Sequence, residues 1–429
     1  MSRSGSRTVV IALVLFLSAA NMWAADKVSL VYWSMWNQGE PQAQVIQSWI
    51  DGFEASNPSI TITPTWNGRQ NQTLLRNALA AGTKVDLMDQ DSDQVAGGLV
   101  AAEKAYPLND FLNGKALDED GTIAGTFVPG VLHMFDLNGK TYLWPYIYNT
   151  CQFIYNKALL TKAGAQVPNT WDDFLAECGA LKNAGIVPIA LEGDSQSYNA
   201  NYFVYLLERI KGRGWLTKAA TDKTGATWKD PVVMTVCKME RDLWAKGYVP
   251  ADSKGYKWPQ AQQTLAAGES TMELVGSWLP TELASAAGPD FEWGQFNFPE
   301  VKNGKGKLGD LMAYTLSFMV LKDTQHPKEV LQFLKYTVTK DNQMLMAKKG
   351  NVGVTRKGVD WPKNLTDAQK AAENAKIVFG EGDGLQASNA ELWVKVIRDP
   401  HNDMIDGIVT PEQFIDNLVT GTRAYWKNK

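Results

Sequence analysis

Short apolar strands alternating with amphipathic helices set the limits on what this chain can fold into. Residues 28–33 (VSLVYW) read as a buried strand ending in a turn at Asn37-Gln38-Gly39. Pro41 stands at a helix start, where its missing N–H is no loss, and Ile46, Trp49, Ile50 and Phe53 recur at helical spacing. Asn57-Pro58 stops that helix, because the residue before proline is driven out of the helical region. Residues 60–63 alternate as a strand, Leu74, Leu75, Ala78 and Leu79 form a second helical stripe closed by Gly82, and residues 85–88 make a third strand. The order β-α-β-α-β predicts an α/β fold, doubly wound, whose strand ends open onto a cleft.

The first residues point to export. Arg3 and Arg7 precede an apolar run of 12 residues at 9–20, and Ala24 and Ala25 precede Asp26. That order is a secretory signal peptide over 1–25, cleaved after Ala24 or Ala25. The run falls short of the roughly 20 residues of a spanning helix. No cysteine lies near the cleavage point, so a lipid anchor is not expected. Loss of Arg3 and Arg7 takes the formal charge from −4 to −6, and the scattered charges leave no footprint for nucleic acid or an anionic membrane. The roughly 400 residues that remain favour two or more lobes. Cys151, Cys178 and Cys237 form no CxxC, and their odd count leaves at least one thiol unpaired. Buried free thiols are expected. His133, His326 and His401 lie far apart and match no metal motif, so neither metal nor cofactor is expected.

Later helices carry start signals. Thr170 with Asp173 has capping-box spacing, and Thr410-Pro411-Glu412-Gln413 places an N-cap, a first-turn proline and a capping amide in register. Asn138-Gly139-Lys140 is a turn between apolar segments.

Five segments in order resemble the family 1 extracellular solute-binding proteins of the maltose-binding group. They are Phe53-Glu54-Ala55-Ser56-Asn57-Pro58; Ala80-Ala81-Gly82-Thr83-Lys84-Val85-Asp86-Leu87, with Val85 where the family carries Pro; and the series Asn138-Gly139-Lys140, Tyr142, Pro145, Tyr155-Asn156-Lys157, Ala163-Gly164, Pro168 and Thr170-Trp171. Ala267-Gly268-Glu269 leading to Gly276-Ser277-Trp278, and the helix around Val330 leading to Gly350-Asn351-Val352-Gly353, complete the set. The resemblance implies a two-lobe periplasmic-binding-protein fold (type II-like), with a ligand cleft between lobes that close about a hinge. It places 26–136 with 316–350 in lobe 1, and 137–315 with 351–429 in lobe 2. It implies a monomeric, periplasmic, non-enzymatic receptor that delivers a mono- or oligosaccharide to the permease subunits of an ABC importer.

A sugar offers apolar C–H faces and a rim of hydroxyls, so its site needs flat aromatic rings with charged or amide groups beside them. Trp36, Asn37, Gln38 and Glu40 follow the first strand, and Arg69 follows the second. Asp89 and Asp91 follow the third, in a run of alternate carboxylates that lacks the glycine and terminal Glu of a calcium loop. Tyr146 and Asn149 follow Pro145 under the cleft, with core packing the competing role for the tyrosine. Glu192 stands at a strand end. By the resemblance, Trp278 and Trp393 stack on the sugar, although a Trp at helical spacing is ordinarily core. Arg356 is placed to clamp hydroxyls or an acidic substituent, or to make a salt bridge near the hinge. Two other readings compete. One is the same fold binding a polyamine or a glycerol phosphate; the other is a secreted glycoside hydrolase, which needs two carboxylates about 5 to 9.5 Å apart.

Overall fold

The computed structural model describes residues 27–429; the expected signal peptide lies outside the described residues. One twisted sheet of nine strands runs through the molecule, in the order β2 (Ile60–Trp66), β1 (Val28–Ser34), β3 (Leu87–Asp91), β8 (Leu311–Val320), β4 (Leu143–Asn156), β6 (Ser270–Gly276) and β5 (Val187–Ile189). β7 (Trp293–Phe296) pairs with β4, and β9 (Val378–Phe379) pairs with β8. β1 runs parallel to β2 and β3, as helical crossovers demand. β8 then lies antiparallel to both β3 and β4.

β4 and β8 carry the chain between two cores. The first half of β4 packs Trp144, Tyr146, Ile147 and Tyr148 with β1, with the helix Pro41–Ser56 and with the helix Pro327–Thr337. Its second half packs Cys151, Phe153 and Tyr155 with the helices Trp171–Asn183, Gln196–Lys211 and Pro231–Ala245. Pro145 is tolerated inside this 14-residue strand because the register shifts between Pro145 and Ile147, a bulge where no ladder N–H is required. Val352, Val354, Val359, Trp361, Leu365, Ala368 and Ala372 join the first core. The division drawn from the sequence gave all of 351–429 to the second lobe.

Local signals act as the side chains require. Both capping boxes form: Asp173 N–H donates to Thr170 Oγ1 at 3.2 Å, and Gln413 N–H to Thr410 Oγ1 at 3.2 Å. Asn138 and Gly139 take φ of 52° and 72°, closing a two-residue turn in which Leu137 and Lys140 exchange backbone bonds of 3.0 Å. The third strand begins and ends later than the sequence predicts, at Leu87–Asp91 rather than 85–88. Asp86 spends its carboxylate on Val31 N–H (2.8 Å) and the Thr324 hydroxyl (2.5 Å), which pins the strand entry. Asp89 and Asp91 therefore lie in the sheet, not in a loop. All three cysteines are buried and free.

Candidate functional site

The first wall is built around Asp89. This fully buried carboxylate accepts from the hydroxyls of Tyr32 and Tyr146 and from Met35 N–H, so it ties the loop after β1 to the sheet. The Trp36 indole N–H donates to Tyr146 Oη at 2.9 Å. The Arg69 guanidinium lies 4.8 Å above the Trp36 ring and is held by Glu40 (2.6 Å) and by the Met35 carbonyl (2.9 Å). Glu40 also accepts from the Asn37 amide side chain at 3.0 Å. Asn37 and Gln38 stay exposed at this rim. Asp91 ends β3, half-buried, and takes the Gln94 side-chain amide at 3.1 Å. Asp93, two residues on, is buried with only the adjacent Gln94 N–H on its carboxylate.

The second wall is aromatic. Gly276 is required because a Cβ there would run into the Trp278 ring. Ser277 accepts Thr150 N–H at 3.1 Å, gives its own N–H to Thr150 O at 2.8 Å, and reaches Asn149 Oδ1 at 3.4 Å. These bonds set Trp278 beside the β4–β8 crossing, where Asn149 stands opposite Tyr314. Trp278 lies 5.6 Å from Tyr314 and 6.3 Å from Tyr198. Glu282 follows one helical turn later, at the end of Leu279–Glu282.

The walls feel each other's charge. Crowding raises the pKa of Glu282, although its side chain keeps an open face; Arg69 lowers it and Glu40 raises it, both from the other wall. Asp93 is pushed well up, first by burial and then by Glu381 and Asp91. Asn351, at the end of the first-lobe helix Lys340–Gly350, donates its side-chain amide to Thr281 Oγ1 at 3.1 Å. Such a cleft can stack an apolar ring face and bond its hydroxyls from both sides. Among the described residues no group of three or more His, Cys, Asp or Glu is placed to hold a metal ion. The cavities of about 110 Å³ beside Arg356 and about 240 Å³ between Phe135 and Phe379 lie outside this constellation.

The family described as bacterial extracellular solute-binding protein matches residues 37–344. The chain belongs to this family. It is 26% identical over 363 residues to the multiple sugar-binding protein of Streptococcus mutans, covering 81% of this chain and 80% of that one. Among solved structures, a chitin oligosaccharide binding protein superposes with a TM-score of 0.73 at 24% identity, over 93% of this chain and 99% of that chain. RafE in complex with raffinose gives 0.69 at 18% identity, over 92% and 99%. The two-lobe fold is shared with these proteins.

In this solute-binding protein the predicted residues separate into two groups. Asn37 bonds Glu40, Glu40 holds Arg69 within charge range of Asp91 and Glu282, and Asn149 bonds Ser277 beside Trp278. Trp36 is buried under Arg69, while Gln38 is exposed with no hydrogen bond to the rest. Glu192 lies beneath the second wall, its carboxylate on Gln262 N–H at 3.1 Å. The other four have different work. Asp89 has its oxygens filled from inside the lobe. Tyr146 is fully buried and stacks on Phe318 at 4.5 Å, as a core tyrosine does. Arg356 is buried and pairs with Asp118 (3.2 Å) and Glu119 (3.0 Å), the salt-bridge role. Trp393 is fully buried and gives its indole N–H to Glu381 at 2.9 Å, so it supports Glu381 rather than presenting a free face. Tyr198, Tyr314, Glu282 and Glu381 were not read from the sequence, and Asp93, read there as a solvated or capping carboxylate, is buried. Glu381 alone had a usable signal, the run Gly380-Glu381-Gly382-Asp383-Gly384, whose alternating glycines mark a break in regular structure that carries two acids.

Proposed function

We propose that this solute-binding protein captures a mono- or oligosaccharide between its lobes and hands it to the permease subunits of an ABC importer. The observation that carries this reading is the aromatic wall of Trp278, Tyr314 and Tyr198 facing the polar rim of Asn37, Glu40 and Arg69. Sugar binding by relatives such as the multiple sugar-binding protein supports it. Contact with both walls stabilises the closed arrangement and shifts the population toward it. Binding is the whole activity in this reading, with no catalysis, and the receptor acts as a monomer. The signal-peptide pattern and the extracellular family support export to the periplasm without a lipid anchor.

A thermal-shift screen of the mature protein tests it, using mono-, di- and oligosaccharides, polyamines and glycerol phosphates. A ligand at about 100 times its Kd stabilises the fold by ~2.7 kcal/mol. A carbohydrate that shifts the transition and is recovered unchanged fits the proposal. Shifts confined to polyamines or phosphates would overturn the sugar assignment, and cleavage of the bound sugar would overturn the non-catalytic one.

A further inference from the structure

Beneath Trp278 and Tyr198 the second lobe holds carboxylates that the protein itself leaves unmatched. Glu273 and Val275 point to one face of β6, because side chains alternate along a strand. Val275 packs in the small cluster that Tyr198 and Trp278 border. Glu273 is 2% exposed, and neither of its oxygens has a hydrogen-bond partner. Glu192 is fully buried beside it; one oxygen takes Gln262 N–H at 3.1 Å and the other has no partner. Glu282 adds a third carboxylate at the rim. Arg69, whose charge reaches Glu282 from the opposite wall, is already engaged by Glu40 at 2.6 Å.

A buried carboxylate without a cation or donors is costly, and structures supply it with a partner. A neutral sugar hydroxyl can donate one bond but does nothing to relieve the crowding of Glu273, Glu192 and Glu282. An ammonium group gives up to three donors and cancels charge, and the faces of Trp278 and Tyr198 favour a cation as well. We infer that the ligand is a sugar bearing a protonated amine, held under Trp278 and Tyr198 by Glu273 and Glu192. This rests on the sugar reading above. Burial, then Glu192 and Glu282, push the Glu273 carboxyl well up, with the nearby Gln262 side-chain amide opposing them. The ligand-free carboxyl therefore favours its protonated form, and a bound ammonium draws it back to the carboxylate.

Calorimetric titration at neutral pH with matched pairs tests it: glucosamine against glucose, and the β-1,4-linked glucosamine dimer against cellobiose and against its N-acetylated form. The inference predicts that an amine form binds at least tenfold more tightly than its neutral partner, about 1.4 kcal/mol. It also predicts that E273Q, checked for folding by its melting curve, collapses that ratio to below about threefold, as loss of one charge-assisted bond should. If E273Q does not fold, E192Q takes its place. Neutral sugars binding as tightly as the amines, or the N-acetylated dimer binding best, would overturn the amine and leave the sugar reading standing. An unchanged ratio in the folded variant would overturn the assignment to these carboxylates. Binding of none of these sugars would overturn the inference and leave the sugar reading to the thermal-shift screen.

Discussion

Asp89 and Asp91 lie on the same face of β3, two residues apart, yet one is filled from inside the lobe and the other is half-buried within charge range of Arg69. Asp89 is fully buried and accepts from two tyrosine hydroxyls and a backbone N–H. Removing it strands three buried donors, and each unsatisfied group costs about 1–3 kcal/mol. Asp89→Ala is expected to lower stability by about 3 kcal/mol in urea unfolding; a loss below about 1 kcal/mol would contradict its anchoring role. Trp278 is the opposite case, half-buried with its partners Tyr198 and Tyr314 on the wall. Trp278→Ala should weaken sugar binding at least tenfold in calorimetry while the protein still unfolds cooperatively; unchanged affinity would remove it from the site. The sequence singled out Trp278 through the resemblance of Gly276-Ser277-Trp278 to a stacking tryptophan of the family. It could not separate Asp89 from Asp91, since a strand starting two residues late moves both into the sheet. Nor could it find Tyr198 or Tyr314, which pair with Trp278 only through contacts across 80 and 36 positions of chain.

Elements with local determinants were legible, and those defined by long-range pairing were not. The helix Pro411–Lys427 starts where Thr410, Pro411 and Gln413 require it. Thr410→Ala is expected to cost about 1 kcal/mol through loss of the N-cap bond, measured by denaturant midpoint; no change would mean that packing alone fixes this end. β4 resisted the same reasoning. It is buried along its whole length and contains a proline, so neither alternation nor propensity marks it as a strand. Its role emerges only when β8, more than 150 residues later, pairs along it and carries both cores. The return of 352–372 to the first core is set by the same long-range packing.

At the scale of the molecule, two lobes share one sheet, and their buried carboxylates make stability depend on pH. Burial raises Glu208 to about 7 and Asp383 to about 6, and also raises Glu240 and Glu273. An acid whose pKa is higher folded than unfolded holds its proton more tightly in the fold. Its contribution is therefore complete below the unfolded values of 4.5 and 3.8 and is lost as pH rises through about 6 to 7. Asp222, lowered by Thr224 and Thr227, contributes in full above the ordinary aspartate range and loses that contribution only as pH falls below it. The ligand-free protein should melt at a higher temperature near pH 5 than near pH 8, at fixed ionic strength; the reverse order would contradict this charge arrangement. The central claim, that a carbohydrate is held between the walls and draws them together, is tested most directly by small-angle scattering of the mature protein with and without a sugar hit. The account predicts saturable one-to-one binding and a smaller radius of gyration in the saturated protein. Tight sugar binding with an unchanged radius, or a radius that shrinks only with non-carbohydrate solutes, would contradict it.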